Sequence, residues 1–342
     1  METIQYLSDS GEPLKDLPLT DDELITGYRA LRRTRFFDER AVTLQRQGRL
    51  GVYPPSFGQE AAQVGTALAL QKTDWLVPSY RENAAALVHG LPISHLILFW
   101  RAHPVGWRFP DGLNMLPFYI PIATQLPQAV GVAMAGQYQN KNWVAATYIG
   151  DGGTSEGDFH EALNFAAVYN APVMFTVQNN GWAISVPTSK QMKNPRIAER
   201  AAGYGIPGVV VDGNDLVAVW AEAKKAVERA RENGGPTLLE ALTYRIAPHT
   251  TSDDPARYRV EDEAEKWRKK DPVARMQMLV RTLDIWSEEQ EEELEQELKT
   301  ELAEALEIAD AAPEPEPWEI VEHVFAEMTP DQQTAWEALH GG

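Results

Sequence analysis

No cysteine occurs among the 342 residues of this chain, so disulfides, thiolate catalysis, iron–sulfur clusters and cysteine-ligated zinc are excluded. Basic residues are scarce beside acidic ones: 31 Lys and Arg stand against 50 Asp and Glu, a formal net charge of −19. Binding a nucleic-acid backbone needs a basic face, and this balance argues against such a partner. Long apolar runs are missing too. Stretches such as Leu96-Ile-Leu-Phe-Trp100 fall far short of the roughly 20 residues that a membrane helix needs. The first residues, Met1-Glu-Thr-Ile-Gln-Tyr6, lack the basic start and apolar core of a signal peptide and the Arg-rich character of a transit peptide. The chain reads as soluble and cytoplasmic, with no membrane and no nucleic-acid partner. Its length suits one large α/β domain or two modest ones.

Residues 1–20, with Gly11, Pro13 and Pro18, read as an irregular arm. Thr20-Asp-Asp-Glu23 is a capping box opening a helix to about Gln47. A second helix is expected over Gly58 to Leu70, and a short strand over Asp74 to Val77. Residues 101–121 form a long loop, and 125–139 return to helix. Apolar runs at 143–149, 172–177, 208–212 and 237–242 read as buried strands, with helices at 154–169 and 215–232 between them. Strands alternating with helices predict an α/β fold with a doubly wound, mainly parallel sheet and helices on both faces. Residues 21–285 would form this domain. Residues 286–342 would form a helical extension interrupted by the stiff Ala311-Ala-Pro-Glu-Pro-Glu-Pro317. Leu294, Leu298, Leu302 and Leu306 follow a Ser287…Gln290 capping box at helical spacing. The Glu-rich stretch between them reads as a solvated helix face rather than a site for a basic partner.

Gly150-Asp151-Gly152 closes one apolar strand, and Asn179-Asn180 closes the next, with 26 residues between. A strand, crossover helix and parallel strand put both ends on one sheet edge, where ligands of open α/β sheets bind. Asp151 and Asn180 offer a carboxylate and an amide oxygen, hard ligands suited to Mg²⁺, which draws its remaining oxygens from phosphates and water. Gly150, Gly152 and Gly153 let backbone approach a phosphate, and the next helix aims its first N–H groups there. An unrelated Gly-rich turn and Asn-Asn loop are the plain alternative.

This spacing is similar to the thiamine-diphosphate motif, and the flanking sequence narrows it further. The matching stretches are Gly58-Gln-Glu-Ala61, Pro78-Ser-Tyr-Arg81, Ile122-Ala-Thr-Gln-Leu-Pro127, Gly150 to Asp158, Asn164-Phe-Ala166, Gln178-Asn-Asn180, Ala183-Ile-Ser185, Val211-Asp-Gly213, His249 to Pro255 and Tyr258-Arg259. They resemble the α subunit of the decarboxylating first component of a 2-oxo acid dehydrogenase complex, of pyruvate or branched-chain type. The resemblance implies thiamine diphosphate and Mg²⁺ as cofactors and a small 2-oxo acid as substrate. It also implies a lipoyl-bearing dihydrolipoyl acyltransferase as acyl acceptor. In the family the cofactor lies between two α/β modules. Only one is present here, so the resemblance implies a β subunit in an α2β2 heterotetramer, which supplies the activating glutamate.

Residue by residue, the resemblance adds the main-chain carbonyl of Trp182 to Asp151 and Asn180 as metal ligands. It assigns Tyr80 and Arg81 to the diphosphate, against the plain alternative of an Arg paired with Glu82. It gives His249 a catalytic part, reaching the diphosphate and helping to order an active-site loop, with Arg245 supporting the site. Ile120 and Ile122 would lie beside the pyrimidine. The residues at 247–258 are polar and read as mobile without ligand. His103 falls in the 101–121 loop, where it could face a substrate channel. His89, His95, His160, His323 and His340 read as ordinary. Pro54 stands four residues before Gly58, where several pyruvate-type relatives carry His, so that residue's substrate-facing role does not transfer. Pyruvate is the expected substrate, with branched-chain 2-oxo acid or acetoin dehydrogenase as the nearer rival. A non-catalytic nucleotide- or phosphate-binding module is the distant one.

Overall fold

Among the described residues there are seven strands: β1 (Trp75–Val77), β2 (Ala145–Gly150), β3 (Val173–Asn179), β4 (Trp182–Ala183), β5 (Val186–Pro187), β6 (Gly208–Asp212) and β7 (Thr237–Leu242). Five form one sheet in the order β1-β2-β3-β7-β6, every pairing parallel. β4 and β5 make a small antiparallel hairpin. A computed structural model describes residues 1–322 and 324–340, without the side chain of Ile320. His323, Gly341 and Gly342 lie outside the described residues.

The predicted parallel α/β architecture is what the chain adopts. Alternation along β2 sends Ala145 and Ile149 to one face, with the helices Gln125–Tyr138 and Gly157–Val168. Ala146 and Tyr148 go to the other, against the helix Leu216–Arg231 and the Ala-rich helix Asn83–His89. Both faces are covered, which explains why the strands read as continuous apolar runs. The helix Asp21–Arg46 opens with the predicted Thr20/Glu23 capping box, and Glu288–Asp310 opens with the Ser287/Gln290 one. Leu294, Leu298 and Leu302 are buried, and Arg29 and Arg33 of the first helix pair with Glu297 and Glu301 across the two helices.

Two features differ from the sequence reading. Residues 1–20 are irregular but docked: Ile4 pairs with the outer edge of β6, and the N–H groups of Tyr6 and Leu7 donate to Asp215 at 2.6 and 2.8 Å. The helices Asn83–His89, Ile93–Trp100, Glu261–Arg268 and Pro272–Thr282 had no sequence expectation. Asn83–His89 is buried along most of its length, so it lacks the amphipathic alternation that announces a surface helix. Among the described residues no helix is long and apolar enough to cross a membrane.

Candidate functional site

Segments leaving β1, β2, β3 and β7 close around a cavity of about 240 Å³. Parallel strands put their C-terminal ends on one edge, so Ser79–Glu82, Gly150–Gly153, Gln178–Ala183 and Arg245–His249 meet there although up to 170 positions apart. Tyr80, Arg81, Ile122, Gly150, Gly152, Gly153, Asn180, Trp182, Arg245 and His249 all line it. Asp151 is fully buried beside it. Ile120 is the exception, 63% exposed and outside the lining. It lies two residues before Ile122, where this segment first meets the cavity.

Asp151 and Asn180 are adjacent, as the βαβ spacing requires. Asp151 Oδ1 accepts the Asn180 N–H at 3.2 Å, and Oδ2 accepts the Thr188 hydroxyl at 2.8 Å. Asn180 Oδ1 accepts the Trp182 N–H at 3.2 Å, and its amide donates to Gln59 Oε1 at 3.0 Å. Burial pushes the Asp151 carboxyl above the ordinary range, outweighing its hydrogen bonds and the attraction of Arg245. No three-residue cluster of His, Asp or Glu with metal-site geometry exists among the described residues. One buried carboxylate with flanking neutral oxygens is a sparse donor set, which matches a hard cation that shares its shell with phosphate and water.

Two arginines and a histidine form the opposite wall. Arg81 is 5% exposed and donates to Pro55 O at 3.0 Å and to His249 O at 2.9 Å. Arg245 is 1% exposed and donates to Ile184 O at 2.7 Å, while its Nε is buried without a partner. Both reach His249 Nδ1, at 3.1 and 3.2 Å. A guanidinium only donates, so Nδ1 accepts from both and the ring proton is assigned to Nε2. Burial, then Arg81 and Arg245, drive the His249 pKa down to about 3. The imidazole is neutral at pH 7, and its Nε2–H is a donor. The Tyr80 ring packs edge-on to it at 6.0 Å.

The glycines divide the labour. A Cβ on Gly152 would sit 2.7 Å from Ala183 Cβ, and one on Gly153 would sit 2.6 Å from Ile149. Those two therefore let the turn pack tightly onto its own protein. A Cβ on Gly150 would meet only Asn180 Nδ2, at 3.9 Å, so that position keeps the cavity floor clear.

Several lining residues were missed. Glu82 does not pair with Arg81: it turns away to accept the Ser79 N–H and hydroxyl at 2.8 and 2.7 Å and the Gln178 amide at 2.6 Å. Gln178 in turn accepts from Gln63 at 2.9 Å, a chain of polar groups spanning β1 to β3. Gln191 donates to the carbonyls of Asp151 and Gly152 at 2.9 and 2.7 Å, clamping the Gly150–Gly153 turn. Gln178 and Glu82 each adjoin a motif residue, which was the available signal. Thr188 and Gln191 had none. His103 does not line the cavity; its Nε2 meets Pro313 O of the Pro-rich segment at 2.8 Å. The 247–258 loop, though polar, is tied down: the Thr251 N–H donates to Tyr53 O at 2.9 Å and the His249 N–H to Asp253 at 2.9 Å. Most of these anchors are polar, so apolar content did not reveal them, though the Tyr258 ring also packs on Trp182 with centroids 5.5 Å apart.

The family model described as "Dehydrogenase E1 component" matches residues 28–318. The chain is 44% identical over 345 residues to the 3-methyl-2-oxobutanoate dehydrogenase subunit alpha of Mycobacterium tuberculosis, covering 99% of this chain and 94% of that protein. It is 42% identical over 331 residues to the pyruvate dehydrogenase E1 component subunit alpha of Staphylococcus aureus, covering 96% of this chain and 90% of that protein. An anion-ready cavity on the C-terminal edge of a parallel sheet and these matches along nearly the whole chain agree: the protein belongs to the dehydrogenase E1 component family, as the α subunit of a thiamine-diphosphate-dependent 2-oxo acid dehydrogenase.

Proposed function

We propose that the cavity holds magnesium thiamine diphosphate and that the assembled enzyme acts on pyruvate, passing the acetyl group to the lipoyl group of a partner acyltransferase. The observation that carries the cofactor reading is the pair Arg81 and Arg245, buried against His249 and forming no ion pair among the described residues. In a chain of net charge −19, two such cations call for an anion from outside. Their N–H groups grip the diphosphate, and His249 donates from Nε2. Asp151, Asn180 Oδ1 and the Trp182 carbonyl hold Mg²⁺, with Thr188 and the Asn180 N–H orienting Asp151. Ile122, exposed at the cavity wall, supports the pyrimidine side. When bound, the cofactor's thiazolium supplies the electron sink for loss of carbon dioxide. A β subunit in an α2β2 assembly completes the other wall and provides the activating glutamate.

A branched-chain 2-oxo acid is the second reading, favoured by Thr251-Ser-Asp-Asp254 and by the Mycobacterium relative's name. Co-expression with a β chain, followed by turnover of pyruvate and of 3-methyl-2-oxobutanoate, separates the two. The isolated α chain should turn over neither. Binding of ATP or NAD with no response to thiamine diphosphate would overturn the whole assignment.

A further inference from the structure

We infer that Asp38, outside the cavity and assigned no part above, is a positioning residue for the anion grip, acting through the 53–56 segment on Arg81 and the His249 loop. The inference rests on the cofactor reading just proposed. Asp38 is 1% exposed on the helix Asp21–Arg46. One carboxylate oxygen accepts the Tyr53 hydroxyl, and the other accepts the Ser56 N–H at 2.8 Å and the Ser56 hydroxyl at 2.7 Å. The segment so held has two outputs. Pro55 O takes Arg81 Nη1 at 3.0 Å. Tyr53 exchanges two bonds with Thr251: its N–H donates to the hydroxyl at 3.0 Å, and its carbonyl accepts the Thr251 N–H at 2.9 Å. Thr251 lies two residues past His249, whose carbonyl binds Arg81. A single buried carboxylate thus stands behind both the arginine and the loop that frame the cavity.

Its surroundings make this support sensitive to pH. Asp38 forms no ion pair among the described residues. Glu60, on the neighbouring helix, adds repulsion, though Arg35 neutralises it at 2.6 Å and also meets Asp271 at 2.8 Å. The Tyr53 phenol is pushed well above its usual range and stays neutral, with Arg81 on its far side. A cavity of about 540 Å³ opens beside Asp38, and its wall carries Glu39, Arg46, Asp253, Arg259, Glu261 and Arg268. Burial pushes the Asp38 carboxyl up to about 7, against the pull of Tyr53 and Ser56. Protonation removes the charge that strengthens these three bonds and makes one carboxyl oxygen a donor, so the hold on the 53–56 segment weakens.

The test uses the full α chain assembled with its β chain, with Asp38→Asn as the main variant. Trypsin cleavage after Arg257, whose side chain is 82% exposed, is read without cofactor. We expect at least fivefold faster cleavage at pH 8. The KM for thiamine diphosphate should rise at least fivefold with kcat within twofold. Both ratios of variant to unmodified protein should shrink toward one as pH falls from 8 to 6. Tyr53→Phe and Ser56→Ala should each shift both readouts two- to threefold, with no further loss when combined with Asp38→Asn. Unchanged cleavage and KM, a fall in kcat alone, or a pH-independent ratio would overturn the inference. If Asp38→Asn does not fold, an unshifted Tyr53→Phe overturns it equally. An unmodified assembly that ignores thiamine diphosphate would sink the functional reading instead, while the cofactor-free cleavage still decides the role of Asp38.

Discussion

Two buried arginine centres occupy the same edge of the sheet and are balanced in opposite ways. Beyond β6, Arg275 is 1% exposed and meets Asp212 at 2.9 Å and Asp215 at 3.9 Å, and donates to Leu7 O and Ser8 O at 2.8 and 3.0 Å. Its charge is answered entirely from within the chain. Beyond β1 and β7, Arg81 and Arg245 meet only neutral partners among the described residues: carbonyls, the His249 imidazole and, for Arg245, the Tyr258 hydroxyl at 3.5 Å. Asp151 nearby accepts only from neutral donors. The first centre pins the N-terminal arm and the helix Pro272–Thr282 to the sheet edge. The second keeps charges of both signs unmatched, which is useful only where a ligand brings an anion and a cation together.

That contrast can be broken most severely at Asp151. Asp151→Ala should reduce metal-dependent turnover of the assembled enzyme by a factor on the order of 100 or more, as loss of one ligand from a sparse site implies. Its urea unfolding midpoint should stay level or rise, because a buried uncompensated charge has gone. Turnover near that of the unmodified enzyme at limiting Mg²⁺ would remove Asp151 from the proposed metal site.

Arg275→Met should do the reverse. It strands Asp212 and Asp215 without a counter-ion and should cost about 3–5 kcal/mol in unfolding free energy. A loss within ordinary surface-substitution scatter would mean that the two centres are not different in kind. Arg245→Met sharpens the comparison from the other side. Calorimetry should find thiamine diphosphate binding weakened about 100-fold, or about 2.7 kcal/mol, with thermal stability unchanged or improved. A variant destabilised as much as Arg275→Met would make Arg245 a structural residue.

The smallest effect concerns His249. Its pKa is lowered from 6.5 to about 3 in the folded chain. Its neutral form therefore contributes stability that is complete above about pH 6.5 and is lost as pH falls through that value toward 3. His249→Gln should flatten this part of the stability–pH curve in cofactor-free protein. Superimposable curves would show that burial and the two arginines do not hold the ring neutral.

Legibility in the sequence followed the range of each interaction. Both capping boxes, the strand runs and the Asp151–Asn180 adjacency were readable because each depends on local spacing or on the fixed geometry of neighbouring parallel strands. Glu82 was read only as a surface partner for Arg81, because adjacency in the chain says nothing of which way a side chain turns. Thr188 comes to Asp151 through the β4–β5 hairpin, whose path no periodicity encodes. Ile120 and Ile122 differ by two positions, and only the turn between them decides that one lines the cavity and the other faces solvent.

By itself, then, the sequence determined which residues could carry the chemistry: hard oxygen ligands after two buried strands, a small number of well-placed cations in an acidic chain, and no thiol. The tertiary structure alone decided which charges were left unanswered. Arg275, Arg81 and Arg245 are indistinguishable as letters. Their roles separate only when the sheet brings Asp212 and Asp215 to one of them and a neutral histidine to the other two, because the cost of a buried charge depends on what stands within a few ångströms of it.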